Sequence, residues 1–188
     1  MSTTAEAEIK ALESQILKLK SELAKMRREQ PPKPVANWEF QTTDGPVKLS
    51  DLFGENKDMI FISNMGKGCN YCTLWADGFN GVVPELESRA ALVFSSADPI
   101  EVAAPFAAGR GWRFRLVSNS KEFRDAMSLS GEDGTPWPAA VGLRKQDDGS
   151  IVEIARDEFG EGDNFCATWH LLDLLKDGWA NWSPNERL

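Results

Sequence analysis

The 188-residue chain carries 21 Lys and Arg against 29 Asp and Glu, a net charge of -8 at pH 7. Its basic residues are scattered rather than clustered with aromatic residues, so we expect no nucleic-acid partner. No window reaches the roughly 18 apolar residues that span a bilayer, and the first eight residues lack the pattern of a secretion signal. We therefore expect a soluble, cytoplasmic protein with one folded domain and no membrane partner.

A long amphipathic helix is predicted over residues 1–29, where Ala5 to Glu29 are rich in helix formers. Its apolar residues recur at alternating intervals of three and four, which is the seam of a coiled coil over roughly three heptads. The seam fits either the same helix of a second subunit or the chain's own domain, and we favour the homodimer. The seam residues are Ile9, Leu12, Ile16, Leu19, Leu23 and Met26.

A proline-rich linker is predicted over residues 30–37, because prolines remove backbone donors and favour extended conformations. The folded domain is predicted to cover 38–188. Its strands are predicted at 38–41, 47–49, 59–62, 91–95, 112–117, 139–143 and 151–154. Its helices are predicted at 50–53, 99–108, 121–127 and 164–176, with Asp98 as the N-cap of the helix at 99–108. A further helix begins at the cysteine pair, is interrupted by glycines and a proline, and resumes at 85–88. A tail from Trp179 to Leu188 should pack back through two tryptophans.

The pair Cys69 and Cys72 follows a buried strand and opens a helix. Two cysteines at this spacing lie one helical turn apart, so they can close a disulfide, bind one metal ion, or do neither. Unpaired N–H groups and the helix dipole favour a thiolate at a helix N-terminus. Cys69 is therefore the predicted attacking thiol, because the thiolate is the nucleophilic form.

The element order predicts an α/β thioredoxin-like fold, a mixed sheet flanked by helices. It runs strand, cysteine pair, helix, strand and helix, then a proline entering an antiparallel hairpin, then a last helix. In that fold the proline is cis, lies against the disulfide and leaves the preceding backbone free to pair with a substrate strand. We assign this position to Pro138, with Pro136 as the alternative.

Three runs carry a more particular resemblance. They are Cys69-x-x-Cys72-x-x-Trp75-Ala76-Asp77-Gly78-Phe79-Asn80-Gly81, Gly111-Trp112-x-Phe114 and Leu49-x-Asp51-Leu52-Phe53. With the charged N-terminal helix ahead of them, they resemble a bacterial thioredoxin-like family, domain of unknown function 899. Its members are described as predicted dithiol-disulfide oxidoreductases, so the resemblance implies this fold and this activity.

The predicted reaction is thiol–disulfide exchange, with attack by Cys69 and resolution by Cys72. Thioredoxins carry a buried aspartate where this chain has Ser63, so base assistance either comes from another residue, for which Asp77 is the candidate, or is weak. The substrate is a protein or small-molecule disulfide, an unidentified reductant recycles the pair, and no cofactor is predicted. The predicted substrate groove consists of Lys67, Asn70, Tyr71, Trp75, Trp137 and Pro138. Lys67 either stabilises the thiolate or is a solvated surface residue.

Three alternatives stay open. A zinc or copper site could use the cysteine pair alone, or add Cys166 and His170, which are four residues apart on the last predicted helix. Peroxidase activity is less favoured, since neither cysteine has the Pro-x-x-x-Thr-x-x-Cys pattern of peroxiredoxins before it. The N-terminal helix could also be an oligomeric interaction module, with no role for the cysteines.

Overall fold

A computed structural model describes residues 3–180 and 182–184 of the chain. The helices are α1 Thr4–Arg28, α2 Leu49–Leu52, α3 Asn70–Asn80, α4 Val83–Glu87, α5 Ile100–Gly109, α6 Lys121–Ala126 and α7 Ala167–Leu172. The strands are β1 Lys33–Val35, β2 Glu39–Thr42, β3 Gly45–Lys48, β4 Asp58–Asn64, β5 Ala91–Ser96, β6 Arg115–Ser118, β7 Ala139–Lys145 and β8 Ile151–Glu158.

These strands form one mixed sheet in the order β1-β8-β7-β4-β5-β6-β2-β3. Strands β4, β5 and β6 are parallel, while β7 is antiparallel to β4 and β8 is antiparallel to β7. The predicted βαβ unit is confirmed, because α3 and α4 connect the parallel strands β4 and β5. The predicted hairpin of β7 and β8 is confirmed as well.

Side chains alternate across the sheet, as the period of a strand requires, and form two separate cores. Phe61 on β4 packs with Phe40 and Phe123 on one face, with ring centroids 4.9 to 5.6 Å apart. Ile62, the next residue, belongs to the core on the other face, which also contains Cys72 and Trp169. The cysteine pair therefore lies on the face that the last helix covers.

The predicted N-terminal helix is confirmed as α1, which begins at a capping box between Thr3 and Glu6. Every described residue of α1 is exposed except Ala24 and Arg27, which are half-buried. Arg27 forms an ion pair with Asp157 of β8 at 2.5 Å and so fixes the end of the helix to the sheet. No described part of the domain covers the apolar seam of α1.

The range predicted as a linker contains part of the sheet. Lys33, Pro34 and Val35 form β1 and pair with Glu153, Val152 and Ile151 of β8. Proline is tolerated here because β1 is an edge strand, where an N–H group can be missing without breaking an inner ladder.

The predicted N-cap of α5 is wrong. Pro99 is the N-cap, without a side-chain hydrogen bond, and the carboxylate of Asp98 accepts instead from the backbone N–H of Lys67 at 2.7 Å. Asp98 thus connects the end of β5 to the loop that precedes the cysteines.

The last helix is shorter than predicted, covering Ala167–Leu172 rather than 164–176. Asp163 accepts hydrogen bonds from the N–H groups of Phe165 and Cys166, which holds these residues in a turn before the helix. After α7 the chain continues in turns, and the rings of Trp179 and Trp182 pack on Trp169 at 5.4 and 5.6 Å. The rest of the predicted tail, residues 181 and 185–188, lies outside the described residues.

None of the helices in residues 3–180 and 182–184 is both long and apolar enough to cross a membrane.

Candidate active site

The two cysteines occupy the start of α3, directly after the loop that leaves β4. Cys69 is the N-cap of α3, and its sulfur accepts a hydrogen bond from the backbone N–H of Cys72 at 3.1 Å. Both cysteines are free thiols; Cys69 is partly exposed, whereas Cys72 is buried beneath it. Solvent therefore reaches the Cys69 thiol, while the Cys72 thiol is shielded from it.

The two thiols have pKa values shifted in opposite directions. A hydrogen bond from the Cys72 thiol, assisted by the backbone N–H groups of Cys72 and Tyr71, lowers the pKa of Cys69 to about 7, although partial burial opposes this. The same hydrogen bond, together with burial, raises the pKa of Cys72 far above that of an ordinary thiol. At neutral pH about half of Cys69 is therefore thiolate, while Cys72 keeps its proton.

The loop before Cys69 is held by two side chains. Asn64 accepts from the N–H of Gly66 at 2.7 Å, and Asp98 accepts from the N–H of Lys67 at the same distance. Gly66 has a φ of +107°, and the space that a Cβ would take there is filled by the Asp98 carboxylate, 2.7 Å away. Glycine is required at this position by both its backbone angle and the close approach.

The predicted substrate-pairing edge does not form. None of the described peptide bonds is cis, so the prediction of a cis bond at Pro138, or at Pro136, is wrong. The backbone before Pro138 is also occupied: Trp137 donates its N–H to the Leu129 carbonyl and accepts at its own carbonyl from the Ser63 hydroxyl, each at 2.8 Å. The residue in place of the thioredoxin aspartate thus binds the loop rather than a thiol.

The carboxylate of Asp77, which was predicted to assist proton transfer, is hydrogen-bonded to residues other than the cysteines. It forms a two-point ion pair with Arg110 and accepts from the indole N–H of Trp112 at 2.8 Å. The paired carboxylate also raises the pKa of Arg110. Asp77 therefore fastens α3 to the segment after α5, and the structure does not bring it to the cysteines.

We expect Asp77→Ala to lower the free energy of unfolding by about 1 to 2 kcal/mol, since it leaves a half-buried guanidinium without its carboxylate. The pH midpoint of Cys69 alkylation should stay unchanged. Chemical denaturation and alkylation kinetics measure the two effects. Asp147→Ala, which removes an exposed ion pair with Lys57, is the matched control and should leave the denaturation midpoint in place. A shifted alkylation midpoint in Asp77→Ala would restore its role as a base.

The other predicted groove residues divide into two sets. Tyr71 stacks on Trp169 and donates its hydroxyl to Glu161 at 2.5 Å, which raises the pKa of the phenol. Asn70 donates to the carbonyl of Pro184 at 3.4 Å, so the C-terminal segment crosses the start of α3. The structure brings these residues to the cysteine pair together with Trp75, which is buried in the same core as Cys72.

Trp137 and Lys67 are placed differently from that set. The Trp137 side chain is 43% exposed and joins neither core. Lys67 is exposed and contacts Asp98 through its backbone, and the hydrogen bonds that lower the Cys69 pKa come from other groups.

The four-ligand metal site is not assembled. Within the part of the chain that the structure describes, no three His, Cys, Asp or Glu side chains could together hold a metal ion. Cys166 is the N-cap of α7 and is buried in the same core as Cys72, whereas His170 is exposed. The two residues predicted to share a ligand face therefore lie in different surroundings.

Four contacts of this site were not predicted from the sequence, namely those of Asn64, Asp98, Glu161 and Pro184. Only Asn64 has a local signal, because an asparagine two residues before a glycine is typical of a turn in which the side chain binds the backbone. The other three lie 31 to 114 residues from the groups that they contact.

The sheet order, with the cysteine pair at the start of the helix after β4, defines the class as the thioredoxin-like fold. Solved structures with this fold include peroxidoxin BcpB from Mycobacterium tuberculosis, with a TM-score of 0.56, 23% identity, and coverage of 68% of this chain and 84% of that one. A yeast mitochondrial 1-Cys peroxiredoxin matches with a TM-score of 0.58 and 14% identity over 81% and 82% of the two chains. A thiol:disulfide interchange protein from Chlorobium tepidum, described as DsbE, matches at 0.51 and 15% identity over 68% and 84%.

The sequence identifies the family more closely. The family described as bacterial protein of unknown function (DUF899) matches residues 3–183, and the chain belongs to it. A comparison with curated proteins finds no match.

Proposed function

We propose that this protein is a thiol–disulfide oxidoreductase in which Cys69 attacks and Cys72 resolves. The observation that carries the proposal is the position of the partly exposed Cys69 as the N-cap of α3, where its sulfur accepts from the Cys72 N–H at 3.1 Å, with the buried Cys72 one turn behind it. These contacts agree with the low pKa of Cys69 and the raised pKa of Cys72. Thiol–disulfide exchange in two steps needs a nucleophile that is ionised at neutral pH and a nearby second thiol that can resolve the mixed disulfide.

In the first step the Cys69 thiolate attacks one sulfur of a substrate disulfide. A bond forms between Cys69 and that sulfur, the substrate S–S bond breaks, and the other substrate sulfur leaves as a thiolate that takes up a proton. Cys69 is then neutral and no longer accepts the hydrogen bond from Cys72. This removes the first cause of the high Cys72 pKa, so the inner thiol ionises more readily after the first step than before it.

In the second step Cys72 loses its proton and attacks Cys69. The Cys69–Cys72 disulfide forms, and the second substrate sulfur leaves and becomes a thiol. Counted from its dithiol form, the protein has lost two electrons and two protons, one of them released to solvent when Cys69 ionised, and the substrate has gained two electrons and taken up two protons. A thiol reductant must then reduce the protein disulfide to complete the cycle.

The hydrogen bonds of the Trp137 backbone favour a compact disulfide substrate over an extended polypeptide. A polypeptide that binds by adding a strand needs free backbone N–H and C=O groups on the receiving edge. Here both backbone groups of Trp137 are hydrogen-bonded within the protein. A small disulfide, or one on a protruding loop, therefore suits this site better than an extended chain.

The test is an equilibrium redox titration of the full chain. The metal content is recorded first, the protein is stripped of metal and equilibrated across a series of glutathione ratios, and free thiols are counted by the mass added on alkylation. We expect a metal-free sample and one reversible two-electron transition that is assigned to Cys69 and Cys72.

Two variants sharpen this titration. Cys69→Ser should abolish the transition, while Cys166→Ser, which alters the remaining buried cysteine, should leave it in place. If no disulfide forms, or if stoichiometric metal must be removed before one can, the oxidoreductase function is excluded, and a metal site of the cysteine pair or the helical interaction module takes its place.

A further inference from the structure

The surface of α1 carries an apolar stripe that nothing in the described chain covers. Its six seam residues are each at least 44% exposed, along a helix of 25 residues that is about 37 Å long. The domain is contacted by Ala24 and Arg27, which lie beside the C-terminal end of this stripe and leave its residues exposed. An apolar stripe of this length is characteristic of an interaction surface. The residues are Ile9, Leu12, Ile16, Leu19, Leu23 and Met26.

We propose that α1 forms an antiparallel two-stranded coiled coil with α1 of a second copy of this chain. Ile9, Ile16 and Leu23 occupy a positions of the heptad, and Leu12, Leu19 and Met26 occupy d positions. Turned end to end about an axis between residues 17 and 18, the seam matches itself at every layer. The layers place Ile9 on Met26 of the partner subunit, Leu12 on Leu23 of the partner subunit, and Ile16 on Leu19 of the partner subunit.

Charges beside the seam support this orientation. In the antiparallel pair, Glu13 at an e position lies next to Lys20 of the partner subunit, and the two-fold axis repeats the contact. Among the described residues, the side chains of Glu13 and Lys20 have no hydrogen-bond or ion-pair partner within the chain. The Glu13 carboxylate and the Lys20 ammonium group can therefore form an ion pair with each other only between the two subunits.

The other flank of the antiparallel pair is acidic and contributes no attractive contact. Gln15 lies next to Glu22 of the partner subunit. At each end Glu8 lies next to Glu29 of the partner subunit, a like-charge contact that is softened because Glu29 is already paired with Lys25 at 3.6 Å.

A parallel pair is less favourable with the same residues. It places Glu8 next to Glu13 of the partner subunit, two like charges, at two places. Its attractive contact would join Glu22 to Arg27 of the partner subunit, yet Glu22 already lies 4.0 Å from Lys18, and Arg27 holds Asp157 at 2.5 Å. The antiparallel pair also carries the two folded domains at opposite ends, since each domain contacts only the last turns of its own α1.

The two orientations respond oppositely to one substitution. In the antiparallel dimer, Glu13→Lys puts two lysines together at each of two contacts, and we expect the dissociation constant to rise about tenfold. Adding Lys20→Glu to the same chain restores opposite charges and should restore the affinity. In a parallel dimer Glu13→Lys removes the repulsion from Glu8 and would tighten binding. The measurement is sedimentation equilibrium of the full chain under reducing conditions.

Ser14→Lys is the matched control, because it adds positive charge at an exposed position away from the seam and should leave the dissociation constant unchanged. Circular dichroism verifies that each variant keeps its helix content. Weakening by Glu13→Lys with recovery in the double variant supports the proposal. A chain that stays monomeric at concentrations of about 100 μM, or tightening by Glu13→Lys, overturns it. Either result leaves the proposed redox function untouched, since Cys69 and Cys72 are not altered.

Discussion

Cys72→Ala is expected to raise the pKa of Cys69 from about 7 toward the ordinary thiol value near 9. The hydrogen bond from the Cys72 thiol is the largest cause of the low Cys69 pKa, and a donor stabilises the charged form of its acceptor. Without it, the thiolate fraction at pH 7 falls from about half to a few per cent. Alkylation of Cys69 at pH 7 should therefore slow at least tenfold.

The measurement is the alkylation rate of Cys69 across a pH series from about 5 to 10, with the modified peptide identified by mass. Cys72→Ser is the matched control, because its hydroxyl still donates to the Cys69 sulfur and should keep the midpoint close to pH 7. Equal midpoints in the Ala and Ser variants, both unchanged from the natural chain, would show that the hydrogen bond does not set the Cys69 pKa.

Gly66→Ala is expected to lower the free energy of unfolding by about 1 to 3 kcal/mol. A side chain at a φ of +107° is strained, and the new Cβ would lie 2.7 Å from the Asp98 carboxylate. That carboxylate cannot move away freely because it holds the N–H of Lys67. The loop before Cys69 should shift, so we also expect slower alkylation of Cys69.

Gly68→Ala provides the control for Gly66→Ala. An added Cβ at Gly68 meets no heavy atom within 4 Å, so denaturant unfolding should show little change. The double variant Gly66→Ala/Asp98→Ala separates the two causes, because it removes the close approach and keeps the backbone strain. Its loss of stability should be smaller than the sum of the two single losses. Additive losses would show that the Asp98 carboxylate does not crowd residue 66. Equal effects of the two glycine substitutions would show that neither the backbone angle nor the close approach requires glycine at position 66.

The parts of the fold that were predicted correctly are those that neighbouring residues encode. The heptad pattern of α1, the apolar runs of β4 and β5, and the start of α3 at Cys69 all depend on residues within a few positions of one another. Their order along the chain was sufficient to predict the thioredoxin-like fold. The role of Cys69 as the helix N-cap follows from the same local pattern.

The predictions that failed concern groups that are far apart in the sequence. The range predicted as a linker contains β1 because Lys33 pairs with Glu153 of β8, and the backbone of Trp137 is occupied because Ser63, 74 residues away, donates to it. Side chains such as Ser63 and Asp98 can satisfy many different backbone groups, and only packing of the sheet selects which one. The sequence alone therefore determined the order of the inner strands and helices and the position of the thiol pair. The tertiary structure decided the edge strand β1 and the partners of Ser63 and Asp98 around the thiols, since these contacts join distant segments.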